Sequence, residues 1–390
     1  MNSHNKRIFA TLFFALFTAV TGVGIVVPLL PVYAHELGAG GFAIGLIFGI
    51  FSLSRSICMP YFGRRSDQQG RKPFIVIGLS GYMLVSVAFI WADTVLLLVA
   101  VRFLQGILSA MIMPVVQAYV GDITPSGKEG ATMGIFNMSL FLGLSLGPVL
   151  GGVIKDYFSL KGAFLSMGLL SLIACLLCIS LLPARKAEGI VRHKATPLPW
   201  KRLLADRQIS GLFLFRMAYT ACIGIIWGFL PVMADADLGL SSSLIGVLVM
   251  LGVLIAGILQ TPMGYLADRL PKQAMMVSGG ILVALSLFIF SQAQGIPGIV
   301  LANTAFGLGG SIAMPPLMAI AVVKGQKTHS MGAVMALLTV GHSLGMMAGS
   351  LFAGVVMDGF GLRIAFFSGT LIMLSGIVVL LASNRQRLAH

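Results

Sequence analysis

Twelve long apolar runs, separated by short polar segments, dominate this sequence. A helix of about 20 apolar residues is long enough to cross the hydrocarbon core of a bilayer. We therefore predict transmembrane helices at residues 9–33, 43–62, 74–92, 95–119, 131–154, 161–183, 209–232, 242–265, 274–292, 297–322, 331–356 and 364–383. An even number of spans places both termini on one side of the membrane.

The composition requires lipid as the surrounding solvent. Hydrophobic residues make up 57% of the 390 residues and charged residues only 10%, whereas soluble domains carry roughly 25% charged residues. A soluble chain of this length would still need polar side chains over its surface. The first apolar run is too long for a signal peptide and has no convincing cleavage site, so we interpret it as the first span.

The four cysteines lie inside the apolar runs. Cys175 and Cys178 have the spacing of a redox or metal pair, but they have no polar neighbours and no second pair. We interpret these two residues, with Cys58 and Cys222, as small buried side chains.

The basic residues predict the orientation. The 26 Lys and Arg residues exceed the 12 Asp and Glu residues, which in a soluble protein would indicate nucleic acid as a partner. Here 20 of the 26 basic residues fall in segments on the side of the termini, and only Lys155, Lys161 and Arg363 fall on the opposite side. Because cytoplasmic segments are enriched in Lys and Arg, we predict cytoplasmic N and C termini and no nucleic-acid partner.

An internal repeat divides the chain. The segment 63–67 matches 264–268 at an offset of 201, and 156–161 matches 358–363 at an offset of 202. Repeated matches at nearly one offset indicate a duplicated six-helix unit. We therefore predict an N-terminal six-helix bundle over 1–183, a cytoplasmic linker over 184–207 that includes a helix on the membrane surface, and a C-terminal six-helix bundle over 208–390.

Three local motifs carry a family resemblance. The loop after span two reads Gly63-Arg64-Arg65-Ser66-Asp67-Gln68-Gln69-Gly70-Arg71-Lys72, span four contains Arg102-Phe103-Leu104-Gln105-Gly106, and span five contains Gly143-Leu144-Ser145-Leu146-Gly147-Pro148-Val149-Leu150-Gly151-Gly152. Together they resemble the major facilitator superfamily, and within it the twelve-span drug:proton antiporter branch. The resemblance covers essentially the whole chain.

That resemblance implies an all-α integral membrane fold of two pseudo-symmetric six-helix bundles in the cell membrane, as in a bacterial inner-membrane multidrug exporter. It also implies a cytoplasmic gating loop, in which Asp67 pairs with cations at neighbouring helix ends and Gly63 permits close helix approach. The gating residues are Gly63, Asp67, Gly70, Arg71, Lys72, Asp122 and Asp268. The glycines and proline of span five, Gly143, Gly147, Pro148, Gly151 and Gly152, imply close packing and a kink linked to conformational change.

Ionisable residues inside the spans are the candidates for substrate binding or coupling, because a charge in a membrane is costly unless it serves a cavity or a partner. They are Arg55, Arg102, Arg216 and His342. No Asp or Glu lies in the predicted membrane core, so we expect a positive cavity and an anionic or zwitterionic substrate. The polar and aromatic residues expected to line that cavity are Gln105, Gln117, Asn137, Asn303 and Trp227.

The sequence thus favours a monomeric secondary transporter that exports a small amphipathic, anionic or zwitterionic solute by proton antiport. A lipid or lipid-linked flippase and a non-transporting membrane receptor or scaffold on the same fold are the alternatives. We expect no enzyme, because the sequence has no Ser-His-Asp spacing, metal cluster or nucleotide-binding loop, and we expect no cofactor. Proton coupling would fall to Asp67, Asp122, Glu36 or His342.

Overall fold

The computed structural model describes residues 3–124, 129–183, 200–328 and 331–384, which form helices and short connections without a strand in those ranges. The helices are α1 (Ser3–Glu36), α2 (Gly41–Gln69), α3 (Arg71–Ile90), α4 (Val95–Ile123), α5 (Glu129–Tyr157), α6 (Leu160–Leu181), α7 (Trp200–Ala205), α8 (Arg207–Ala236), α9 (Ser242–Arg269), α10 (Lys272–Gln292), α11 (Ile296–Lys327), α12 (Met331–Phe360) and α13 (Leu362–Asn384). Twelve of these helices are long and apolar enough to cross a membrane, and α7 is too short. The predicted all-α, twelve-span fold is confirmed.

Several helices extend beyond the predicted spans. The second span was predicted to end at residue 62, but α2 continues through the polar motif to Gln69. Gly70 then ends it with a positive φ of 93°, a conformation that glycine adopts without the steric cost of a Cβ. Gly361 turns the chain between α12 and α13 in the same way, with a φ of 89°.

Glycines bring α5 against α1. A Cβ at Gly147 would lie 2.6 Å from the carbonyl oxygen of Thr21, and one at Gly151 would lie 2.6 Å from that of Ile25. Gly143 faces the same helix one turn earlier. The spacing of four residues therefore produces a backbone-to-backbone contact, as the span-five motif predicts.

The chain forms two compact units. The first comprises residues 1–39, 50–191 and 234–250, and the second comprises 40–49, 192–233 and 251–390. They follow the two halves of the sequence with two exceptions. The first turns of α2 belong to the second unit, and the end of α8 with the first turns of α9 belongs to the first. Of the predicted linker, residues 184–199 lie outside the described part of the chain, and 200–205 form α7.

Both units repeat one aromatic contact. Phe89 stacks on Phe164 with ring centroids 5.2 Å apart, and Phe290 stacks on Phe366 at the same 5.2 Å. All four rings are fully buried. Because these residues are separated by the offsets of the sequence repeat, the internal duplication extends to core packing. The cysteines are free thiols, with Cys175, Cys178 and Cys222 buried and Cys58 half-buried.

Candidate functional site

The first unit contains a buried arginine, Arg102, on α4. Its side chain is 3% exposed, and Nη1 donates a hydrogen bond of 2.7 Å to Oε1 of Gln105 one turn along the helix. The guanidinium also lies 4.4 Å from the ring centroid of Phe51 on α2. A hydrogen bond and a cation–π contact offset part of the cost of burying the charge.

A second arginine, Arg55, lies on α2 beside the same helix. Gly106 permits this approach, because a Cβ there would lie 2.5 Å from the carbonyl oxygen of Phe51 and 3.2 Å from the backbone nitrogen of Arg55. Nη2 of Arg55 contacts Sδ of Met113 at 3.8 Å, while its Nε is enclosed without a hydrogen-bond partner in the described chain. Nε2 of Gln105 is enclosed in the same way. This cluster is formed by Phe51, Arg55, Arg102, Gln105 and Met113, and two of its enclosed donors have no acceptor in the described chain.

Tyr82 of α3 completes the cluster. It is 2% exposed and lies close to Arg55, Arg102 and Ser109. Sequence reasoning did not identify Tyr82, Phe51 or Met113, because apolar and aromatic residues are abundant in every span.

The second unit contains an arginine and a histidine in contact. Nη1 of Arg216 on α8 lies 2.8 Å from Sδ of Met314 on α11, and Nη2 lies 3.4 Å from Nδ1 of His342 on α12. Arginine is a donor only, so this contact is a hydrogen bond in the tautomer whose Nδ1 carries no proton. Protonation of Nδ1 would remove the acceptor and place a second positive charge against Arg216. The sequence singled out both residues separately, and the structure brings them together.

Two aromatic rings and an amide are buried on the same two helices, α8 and α11. Tyr219, on the same helix as Arg216, stacks on Phe306 with centroids 5.8 Å apart and an interplanar angle of 6°. Asn303, one turn before Phe306, is 2% exposed, and its Nδ2 is enclosed without a partner in the described chain. Apolar walls with a few oriented donors are typical of small-molecule sites.

Three predicted lining residues are not part of either cluster. Asn137 is exposed, whereas Gln117 and Trp227 are half-buried. Among the described residues none of them hydrogen-bonds to the arginine clusters. Their assignment to the site stays a prediction.

The predicted gating loop forms an ion-pair cluster centred on Arg71. Its Nη1 contacts Asp67 at 2.5 Å and Ser66 Oγ at 2.8 Å, and its Nε contacts Asp122 at 3.1 Å. Lys72 donates to the carbonyl oxygens of Ile179 and Leu182 near the end of α6, where unpaired carbonyls favour a cation.

Two of the predicted gating residues, Gly63 and Asp268, do not make the contacts expected of them. Nothing lies within 4 Å of a Cβ built on Gly63, so the expectation that Gly63 permits close helix approach is wrong in this structure. Asp268, its counterpart in the repeat of Asp67, is exposed and forms no ion pair within the described residues.

Comparison with known proteins identifies the family. The sequence profile of the Major Facilitator Superfamily matches residues 12–234 and 212–389. The chain is 30% identical over 390 residues to an MFS-type transporter of Methanocaldococcus jannaschii, covering 99% of this chain and 100% of that one. It is 26% identical to multidrug resistance protein 1 of Bacillus subtilis, with 94% of each chain covered.

Solved structures share the fold at lower identity. The nucleoside transporter NupG aligns with a TM-score of 0.80 at 15% identity, covering 98% of this chain and 99% of that chain. A bacterial homologue of the lysosomal transporter Spinster aligns with a TM-score of 0.79 at 13% identity, covering 98% and 96% of the two chains. Together with the twelve spans, the profile match and the full-length relative place this chain in the Major Facilitator Superfamily, as a multi-pass membrane transporter of the secondary type.

Proposed function

We propose that this protein exports a small amphipathic solute with an anionic or zwitterionic group, by proton antiport and alternating access. The observation that carries the charge of the cargo is the excess of enclosed donors. Arg55 Nε and Gln105 Nε2 in the first unit and Asn303 Nδ2 in the second have no acceptor in the described chain. Enclosed polar groups are ordinarily hydrogen-bonded. A carboxylate or phosphate on the substrate supplies the acceptors.

The direction of transport rests on relatives. The chain resembles multidrug resistance protein 1 of B. subtilis over nearly its full length. It is also 33% identical to the quinolone resistance protein NorA of Staphylococcus aureus over 178 residues, which are 46% of this chain and 45% of that one. Both names describe resistance, which export from the cell provides.

Antiport and symport require opposite effects of a bound proton on substrate binding, and the titratable groups differ in which effect they would produce. A proton on His342 and an anion beside Arg216 would attract each other, so His342 favours binding of both together. Antiport requires the opposite, a proton that competes with a conformation or with the substrate. Asp67 and Asp122 meet that requirement, because protonation of either carboxylate weakens its ion pair with Arg71.

Flux into and out of proteoliposomes tests the proposal. Carboxyfluorescein serves as the anionic probe and ethidium as the cationic probe, each with an imposed pH gradient and with no gradient. We expect carboxyfluorescein to move in the direction opposite to the flow of protons. The dependence of its flux on the pH gradient should disappear in Asp67→Asn/Asp122→Asn. Arg269→Ala, which removes an exposed charge on the termini's face, is the matched control and should transport normally.

Other results would replace the proposal. Ethidium transport without carboxyfluorescein transport contradicts an anionic cargo. Scrambling of fluorescent phospholipid without flux of either probe supports the flippase. Absence of flux for both probes and for lipid, in protein that remains folded and monodisperse, supports a receptor or scaffold.

A further inference from the structure

A carboxylate near the end of α12 caps the beginning of α2. Asp358 accepts a hydrogen bond from the backbone N–H of Gly41 through Oδ1 at 2.5 Å and one from that of Phe42 through Oδ2 at 2.8 Å. These N–H groups belong to the first turn of a helix and have no carbonyl partner inside it. The negative charge also lies at the positive end of the helix dipole.

The same arrangement recurs between α5 and α9. Asp156 accepts from the backbone N–H of Ser242 at 3.1 Å, and from the backbone N–H and the hydroxyl of Ser243 at 2.7 and 2.6 Å. Asp156 and Asp358 are 202 residues apart, the offset of the sequence repeat. Each half of the duplicated sequence therefore provides one aspartate that caps a helix of the other half.

Close backbone contacts accompany each cap. A Cβ on Gly354 would collide with the carbonyl oxygen of Gly41, and one on Gly152 would collide with that of Ser242. Gly45 and Gly246 make similar contacts one turn further into their helices. The backbones of the paired helices therefore approach closely beside each carboxylate.

Both caps join helices from different halves of the sequence, at the face opposite the termini. The exchange of residues 40–49 and 234–250 between the compact units reflects these contacts. A transporter that alternates access must separate such contacts whenever this face opens. The caps are suited to this step, because each consists of hydrogen bonds that a helix end donates to a side chain and that can break without unwinding a helix.

We propose that Asp156 and Asp358 form a paired latch that holds closed the face of the transporter predicted to be extracellular. The latch depends on alternating access from the proposed function, but not on the charge of the cargo or on proton coupling. In the open state the first-turn N–H groups of α2 and α9 are released to water.

Spin-label distances measure the latch directly. Lys161 and Arg363 are exposed residues at the beginnings of α6 and α13 on this face. The spin labels are attached in Lys161→Cys/Arg363→Cys, and Cys58→Ser limits background labelling. Double electron–electron resonance in lipid nanodiscs then gives the populations of closed and open forms. Asn keeps one acceptor oxygen at each position but presents an amide NH2, which cannot accept, to the second backbone N–H. Loss of one such hydrogen bond is roughly a fivefold effect, so we expect roughly a fivefold rise in the open-to-closed ratio for Asp156→Asn or Asp358→Asn. The double variant should show roughly a 25-fold rise if the caps act independently.

Two controls make the result specific to capping. Asp93→Asn/Asp237→Asn removes the same charge from exposed positions on this face and should leave the populations unchanged. Asp156→Glu/Asp358→Glu keeps the carboxylates and should restore part of the closed population. If the double Asn variant does not fold, the two single variants are measured instead.

The latch is overturned if Asn at both positions gives the wild-type distance distribution, or if the control pair shifts it equally. Shifted distances together with absent probe flux in the wild-type protein would support the latch and refute the proposed function.

Discussion

At the scale of single residues, the cost of burying charge made the key positions visible in the sequence. Arg55, Arg102 and Arg216 stood out because a cation inside an apolar helix is expensive. Two of their polar partners, Gln105 and His342, were also predicted site residues. The apolar partners Phe51, Met113 and Met314 were not, since apolar residues occur throughout the spans. The contact between Arg216 and His342 spans 126 residues, and only the packing of α8 against α12 reveals it.

Gln105→Glu tests whether the positive charge of Arg102 in the first cluster binds the anion. The new carboxylate would lie where Oε1 now accepts from Arg102 at 2.7 Å, and an ion pair there neutralises the guanidinium. We expect carboxyfluorescein affinity to fall about tenfold or more, as loss of a charged hydrogen bond implies, while the melting temperature is kept or raised. Fluorescence titration of purified protein measures the affinity.

Gln292→Glu is the matched control, because Gln292 is exposed at the end of α10 and the same charge is added there. It should bind the probe as the wild type does. An unchanged affinity in Gln105→Glu would remove Arg102 from the anion site.

At the scale of helices, the four-residue spacing of glycines in α5 predicted close packing against another helix but did not predict which helix. The segment from Gly143 to Gly151 could have packed against any neighbouring span, and the structure selects α1. Helix ends were predicted less well, because polar residues such as those of 63–69 continue the α2 helix beyond the apolar run. The apolar period defines the membrane-embedded part of a helix and not the position of its cap.

Gly147→Ala tests the contact of α5 with α1. The added methyl group would lie 2.6 Å from the carbonyl oxygen of Thr21 and 2.7 Å from Cα of Gly24, so the helices must separate. We expect a loss of about 1–3 kcal/mol of unfolding free energy, measured as a lower midpoint of thermal unfolding in detergent. Gly228→Ala is the control, since nothing lies within 4 Å of its Cβ position, and it should be neutral or stabilising. Equal midpoints for the two variants would contradict the packing account.

Asp206 anchors the beginning of α8. It accepts from the backbone N–H of Gln208 at 2.9 Å and of Ile209 at 3.2 Å, and from Nζ of Lys324 at 2.6 Å. Burial raises the pKa of Asp206, but the hydrogen bonds from Lys324 and the backbone outweigh burial, so that the pKa lies below the ordinary value of 3.8. The carboxylate therefore stabilises the fold above that value, and the contribution is lost as the pH falls through the lowered pKa.

Asp206→Asn keeps the oxygen that caps the helix but removes the charge that pairs with Nζ of Lys324. It should destabilise the protein by roughly 1 kcal/mol or less at neutral pH. At pH values below the pKa of Asp206, the wild type and the variant should unfold at nearly the same temperature. Thermal unfolding from pH 7 down to the lowest pH at which the protein stays soluble checks both statements. A constant difference between the two proteins at every pH would show that the charge of Asp206 is not responsible.

At the scale of the whole molecule, the sequence repeat predicted more than the number of spans. Its offset relates the stacks of Phe89 with Phe164 and of Phe290 with Phe366, and it relates the caps of Asp156 and Asp358. The pattern could not show that each aspartate caps a helix from the opposite half, because two similar segments need not contact each other. The full-length match to an MFS-type transporter supports the same twelve-span architecture.

In the proposed function, buried guanidinium groups select an anionic cargo, and paired binding measurements with an anion and a cation test this selection. Carboxyfluorescein and ethidium are titrated against the wild type, Arg102→Ala/Arg216→Ala, and the control Arg269→Ala/Arg363→Ala, which removes two exposed charges. Each lost charged hydrogen bond weakens binding by roughly ten- to a hundredfold. We expect only Arg102→Ala/Arg216→Ala to lose carboxyfluorescein affinity, by at least tenfold, with ethidium binding kept or increased. Unchanged carboxyfluorescein affinity in that variant, or an equal loss in the control, would contradict it.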